Sequence, residues 1–120
     1  MSGSIVGKKS FEFAVNIIKF YKIFIVDKKE YVLSKQLLRS GTSVGANIRE
    51  ALNAQSKMDF IHKLSISQKE CDETIYWLEL LYQTEYISKV EFETLHSQAI
   101  ELLKIIRSII ITTKNKLQKP

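Results

Sequence analysis

Apolar and polar positions alternate along this chain with a helical period. Phe13, Ala14, Ile17, Ile18, Tyr21 and Ile25 fall close to the i, i+3, i+4, i+7 spacing of one helix face, while Lys9, Glu12, Asn16, Lys19 and Lys22 take the other side. This predicts a first helix over 10–25, with Ser10 as its N-cap. After the polar joint 26–30, Leu33, Leu37, Val44, Ile48, Ala51 and Leu52 continue the pattern and predict a second helix over 30–53. Ser56-Lys57-Met58-Asp59 reads as an acidic capping box, followed by a stripe of Phe60, Leu64, Cys71, Ile75, Leu78 and Tyr82. A third helix over 57–84 follows. Ser88-Lys89-Val90-Glu91 is a second capping box, and Phe92, Leu95, Ala99, Leu102, Leu103, Ile106 and Ile110 carry a fourth helix over 89–115. The one proline is Pro120, and no Asn-Gly or Asp-Gly hairpin signal is present. Joints of a few residues make sequence neighbours antiparallel, so the expected fold is an all-α, up-down-up-down four-helix bundle forming one domain over 1–120. Both ends are expected to fray.

Two of the four glycines, Gly41 and Gly45, sit inside the second helix. They do not make a phosphate loop, because Ala46 stands where a Walker motif needs Lys and no strand precedes them. The apolar stripe keeps its phase across them, so the helix continues rather than hinges. A helix-interior glycine costs about 1 kcal/mol relative to alanine. Close approach of a neighbouring helix is the expected offset, along a small-residue strip of Ser34, Gly41 and Gly45.

The third helix carries apolar residues that one buried face does not explain. With its core stripe centred near Leu64 and Cys71, Ile66, Trp77 and Leu80 project to the opposite side. A tryptophan with two aliphatic residues at helical spacing marks an interface. The flanking Glu70 and Glu73 are expected to meet a basic strip on another copy, the face of the second helix bearing Lys35, Arg39 and Arg49.

Charge is distributed unevenly. Residues 1–55 carry nine Lys/Arg against four Asp/Glu, 56–87 three against six, and 88–120 six against three. Lys19, Lys22, Lys28, Lys29, Lys35, Arg39 and Arg49 are the candidate nucleic-acid-binding residues of a basic belt. No aromatic residue is expected among exposed arginines as a single-strand stacking platform, and no helix-turn-helix is visible. Binding to RNA or DNA should therefore be phosphate-driven and salt-sensitive. No apolar run approaches the roughly 20 residues of a membrane span, and the start of the chain lacks a secretion-signal pattern, so a cytoplasmic location is expected. Cys71 has no second cysteine to pair with and reads as a small buried hydrophobe.

No active site is expected. Asp59-Phe60-Ile61-His62 and Glu93-Thr94-Leu95-His96 resemble the Glu-x-x-His element of di-iron bundles. Both lie in first turns of antiparallel helices, at opposite ends of the bundle, and cannot share a metal. Cys71 lacks a nearby base, and the serines show no triad spacing. The expectation is a non-enzyme without metal or cofactor.

The segments 33–40 (LSKQLLRS), 43–51 (SVGANIREA), 56–70 (SKMDFIHKLSISQKE) and 73–81 (ETIYWLELL) resemble the bacterial four-helix-bundle family of 23S rRNA intervening-sequence proteins. The resemblance begins near Lys9 and covers nearly the whole chain. The same superfamily includes the accessory variability protein of diversity-generating retroelements, a homopentameric ring whose basic surface engages nucleic acid and a reverse transcriptase. Where many relatives read Asn-Ile-Ala-Glu-Gly, this chain has Asn47-Ile48-Arg49-Glu50-Ala51, as in a free-standing subgroup without an assigned function. The resemblance implies that a head-to-tail contact between copies closes into a ring of five rather than a filament. The competing expectation is a protein-interaction scaffold with an unidentified protein partner and no physiological nucleic acid.

Overall fold

Ser4, extended at φ −91°, ψ 110°, accepts a hydrogen bond from the Gly7 N–H at 2.9 Å and opens helix α1 (Ile5–Lys28). The sequence-based start at Ser10 is therefore too late. Ser10 is buried inside the helix and donates to the Gly7 carbonyl at 3.1 Å, the back-bonding that hides a hydroxyl within a helix. The structure is a computed structural model and describes residues 4–118, so the fraying expected at the extreme ends lies partly outside the described residues. Helix α1 also runs through the expected joint to Lys28 and stops where Lys29 turns left-handed at φ 53°.

Helix α2 (Leu33–Leu52) is started by a carboxylate. Glu30 Oε2 accepts from the N–H groups of Val32 and Leu33, Oε1 accepts from Ser34, each at 2.9 Å, and the Ser34 hydroxyl returns a bond to the Glu30 carbonyl at 2.6 Å. Burial works to raise the Glu30 carboxyl, but these backbone donors and the Ser34 hydroxyl overcome it and hold it below its ordinary value. Helix α3 (Lys57–Gln83) is capped by Ser56, which accepts from Asp59 at 3.1 Å. Helix α4 (Lys89–Gln118) opens with the reciprocal Ser88–Glu91 box, at 3.1 and 2.9 Å.

Side-chain register fixes the topology. Ser40, Val44 and Glu50 of α2 meet Thr74, Ser67 and Lys63 of α3 in reversed order. Cys71, Glu79 and Tyr82 of α3 likewise meet Ala99, His96 and Phe92 of α4. Gly7, Ser10 and Ile17 of α1 face Leu52, Gly45 and Gly41 of α2, while Lys9 and Asn16 reach Glu101 and Gln98 of α4. Each helix thus runs antiparallel to both its neighbours, in the square order α1, α2, α3, α4. The pair α1·α4 makes the thinnest of the four seams. Phe13, Ile17, Leu37, Ile48, Leu64, Leu78, Leu102 and Ile106 fill the interior with almost no exposure. Burial of such side chains contributes about 1.5–3 kcal/mol each.

Helix α2 passes its glycines without a break, and neither has a positive φ. A Cβ at Gly45 would lie 3.1 Å from the Ser10 carbonyl oxygen, and one at Gly41 3.0 Å from the Ile17 side chain. These absent side chains let α1 settle against α2. Ser34, the third residue of the strip, is fully buried, and its hydroxyl serves the helix start described above.

Candidate nucleic-acid and assembly surfaces

Long helices with one buried side leave their other residues outward, and it is there that the candidate residues lie. Lys19 and Lys22 are exposed on α1, Lys28 and Lys29 at its end, and Lys35 in the first turn of α2. None of the five has a carboxylate within ion-pair distance among the described residues. They gather toward the end of the bundle where α1 gives way to α2.

The two arginines are placed differently. Arg39 projects toward α3, where its guanidinium bonds Glu70 at 3.1 Å and also Glu73, while Nε donates to Gln36. Burial works against its charge, but the two carboxylates more than offset it and hold the guanidinium above its ordinary value. The expectation that Glu70 and Glu73 wait for the basic strip of another copy is thus corrected. Helix α2 of the same chain already supplies Arg39, because the antiparallel register sets it between them. Arg49 lies near the other end of α2, its guanidinium 5.7 Å from the Phe11 ring centroid. Phe11 is exposed, so one aromatic does stand beside an exposed arginine, as a single pair rather than the stacking platform whose absence was expected. The two residues are 38 positions apart and meet only through the α1·α2 register.

The expected apolar patch of α3 is only half exposed. Trp77 packs against the core rim, donates its indole N–H to Glu73 at 3.3 Å and meets Tyr76 edge-on. Ile66 and Leu80 are half-buried, and Tyr76 is the exposed member of the group. The indole falls toward α2 rather than away from the bundle. The wider apolar surface is on α1 instead. Ile5, Phe11, Ile18, Ile23 and Val26 have relative exposures of 43% to 70%, and Ile18, expected inside, is among them. The available signal was quantity: residues 5–26 hold more large apolar side chains than one helix face can bury.

The histidines are apart. His62 is exposed near the start of α3, whereas His96 stacks on Phe92 and lies 3.3 Å from Glu79. Among the described residues no three His, Cys, Asp or Glu side chains gather as metal ligands. Cys71 is buried with its thiol 3.2 Å from the Ala99 carbonyl. Burial first, and the neighbouring Asp72 second, push that thiol up to about 12 against a smaller opposing effect of Arg107. Among the described residues no helix is long and apolar enough to cross a membrane.

Fold and surface define a four-helix-bundle protein whose distinguishing features are outward-facing ones. A family model described as 23S rRNA-intervening sequence protein matches residues 3–108, and the chain belongs to that family. Among solved structures it is similar to a protein of unknown function of the S23 ribosomal protein family from Bacteroides thetaiotaomicron VPI-5482. The two are 55% identical with a TM-score of 0.87, over 88% of this chain and 98% of that one. No curated protein matches the chain.

Proposed function

We propose that this protein is a non-catalytic cytoplasmic scaffold that assembles with copies of itself into a closed ring and holds nucleic acid by its phosphates. The observation that carries the reading is the set Lys28, Lys29 and Lys35 at the α1–α2 end of the bundle, exposed, clear of the outer face of α1 and without carboxylate partners among the described residues. Lysines already paired with acids would gain little from a phosphate; these three stay open to one. Repetition around a ring multiplies the field and turns weak contacts into avidity. The family's description names a 23S rRNA intervening sequence, which makes RNA the first probe.

The test is fluorescence anisotropy of a labelled single-stranded RNA between roughly 50 and 200 mM salt. Log affinity should fall against log salt with a slope of about −0.7 for each phosphate neutralised, so roughly −2 if one chain's three lysines engage. The triple substitution of Lys28, Lys29 and Lys35 to glutamate should abolish binding and leave helicity intact. No binding at the lowest salt would overturn the nucleic-acid half of the proposal. The exposed apolar residues of α1 would then favour the second reading, a scaffold for another protein.

A further inference from the structure

We infer that the outer face of α1 is the seat of a second copy of this chain, and that what sits on it is the outer face of α3. The inference rests on the assembly half of the function proposed above and names the two surfaces that meet. Projected around α1, Phe11, Val15, Ile18 and Val26 fall within one outward sector, with Lys8, Lys19 and Lys22 in or beside it. All are exposed except Val15, which is half-buried. Helix α1 therefore has two apolar sides, one turned to its own core and one left uncovered.

Charge selects the occupant. Helix α1 carries five lysines against Glu12 and Asp27, so pairing α1 with α1 of another copy would set two cationic helices side by side. Helix α3 is the acidic element, with Asp59, Glu70, Asp72, Glu73 and Glu79 against three lysines. Its outward sector combines Tyr76, Leu80 and Ile66 with Glu73 and Lys69. In and beside it four carboxylates, Glu70, Asp72, Glu73 and Glu79, stand against Arg39, Lys69 and Arg107, so the face keeps a small net negative charge. Among the described residues Glu79 pairs only with His96, which cancels its charge only when protonated. The lengths also match, since 24 and 27 residues at 1.5 Å each give strips of about 36 and 40 Å. Helices α1 and α3 stand at opposite corners of the square, so the contact is heterologous: each copy offers one face of each kind, and the chain of contacts continues until it closes.

Heterology makes the test sharp. Ile18→Glu blocks the α1 face and Tyr76→Glu blocks the α3 face, and both side chains are exposed, so helicity by circular dichroism should match wild type. Light scattering on a sizing column should show wild type assembled and each variant alone as a 13.9 kDa chain. Mixed in equal amounts, the two variants should form a dimer of twice that mass, because the intact α3 face of the first fits the intact α1 face of the second. An assembly that survives Ile18→Glu, or a mixture that stays monomeric, would overturn the inference while leaving assembly through other surfaces standing. A wild-type monomer would overturn both. If Tyr76→Glu has no effect while Ile18→Glu dissociates the assembly, α1 pairs with itself and the assignment of α3 is wrong.

Discussion

Replacing Gly45 by alanine sets two known effects against each other at one atom. Removing a glycine from a helix interior gains about 1 kcal/mol in propensity. The new Cβ, however, would stand 3.1 Å from the Ser10 carbonyl oxygen and 3.3 Å from its carbon. That obstacle is the backbone of α1, which yields only if the whole helix shifts. Overpacking of this kind costs roughly 1–3 kcal/mol. The net expectation is a loss of between about 0 and 2 kcal/mol, or up to roughly 8 °C in Tm for a domain of this size. Gly45→Val should lose more, and Ala46→Gly, at the exposed neighbouring position, should cost only the propensity of about 1 kcal/mol. Urea denaturation of the three variants at equal chain concentration, to hold any assembly constant, measures all of this. A Gly45→Ala protein stabilised by about 1 kcal/mol would show that α1 does not press on this position, since the propensity gain would then stand unopposed.

Further expectations concern polar groups bonded within the fold and the buried thiol. Glu30→Ala removes the acceptor for three N–H groups at the start of α2 and should cost about 1–2 kcal/mol in chemical denaturation. Because folding lowers the Glu30 carboxyl, its contribution is present above the ordinary carboxylate range and is lost as pH falls through the folded value; Glu30→Gln should flatten that part of the stability-versus-pH curve. Thr74→Val deletes a buried hydroxyl lying 2.7 Å from the Glu70 carbonyl and 2.9 Å from Ser40 Oγ, at a cost of about 1–2 kcal/mol on thermal unfolding. The Cys71 thiol, pushed up to about 12, should resist iodoacetamide at mildly alkaline pH in the folded protein and react once urea unfolds it. Since the unfolded thiol ionises first, stability should decline as pH rises from the ordinary thiol range toward about 12, and Cys71→Ser should lack that decline.

The stripes of α2 and α4 were legible because each has one apolar side and one polar side. Leu37, Val44, Ile48 and Ala51, like Leu95, Ala99, Leu102 and Ile106, are all buried. Helix α1 was harder because apolar residues surround it, and periodicity cannot then say which side turns inward. What decides is a neighbour: Gly41 and Gly45 accept Ile17 and the Ser10 backbone, and Ile18 is left outside. Its start was misplaced because a serine reads alike as a cap or as a back-bonded interior residue, and only the backbone distinguishes Ser4 from Ser10. Glu30 was missed as a cap because cap patterns are written for Ser, Thr, Asp and Asn, whereas a glutamate reaches the same N–H groups from further back. On α3 the core lies nearer to α2 than the Leu64–Cys71 line suggests, since Ser67 and Thr74 are fully buried on that side. That displacement draws Trp77 to the core rim. The Arg39–Glu70–Glu73 cluster and the Arg49–Phe11 contact depend on helix register, which spacing within one helix does not encode.

In the proposed assembly another copy covers the exposed apolar residues of α1, and Lys28, Lys29 and Lys35 at the α1–α2 end recur as a repeated set. Multi-angle light scattering of the wild-type chain on a sizing column at micromolar concentration tests it most directly. The expected result is a single species whose mass is a whole multiple of 13.9 kDa, five if the ring implied by the family resemblance forms. A species of one chain mass, unchanged as concentration is raised, would contradict it.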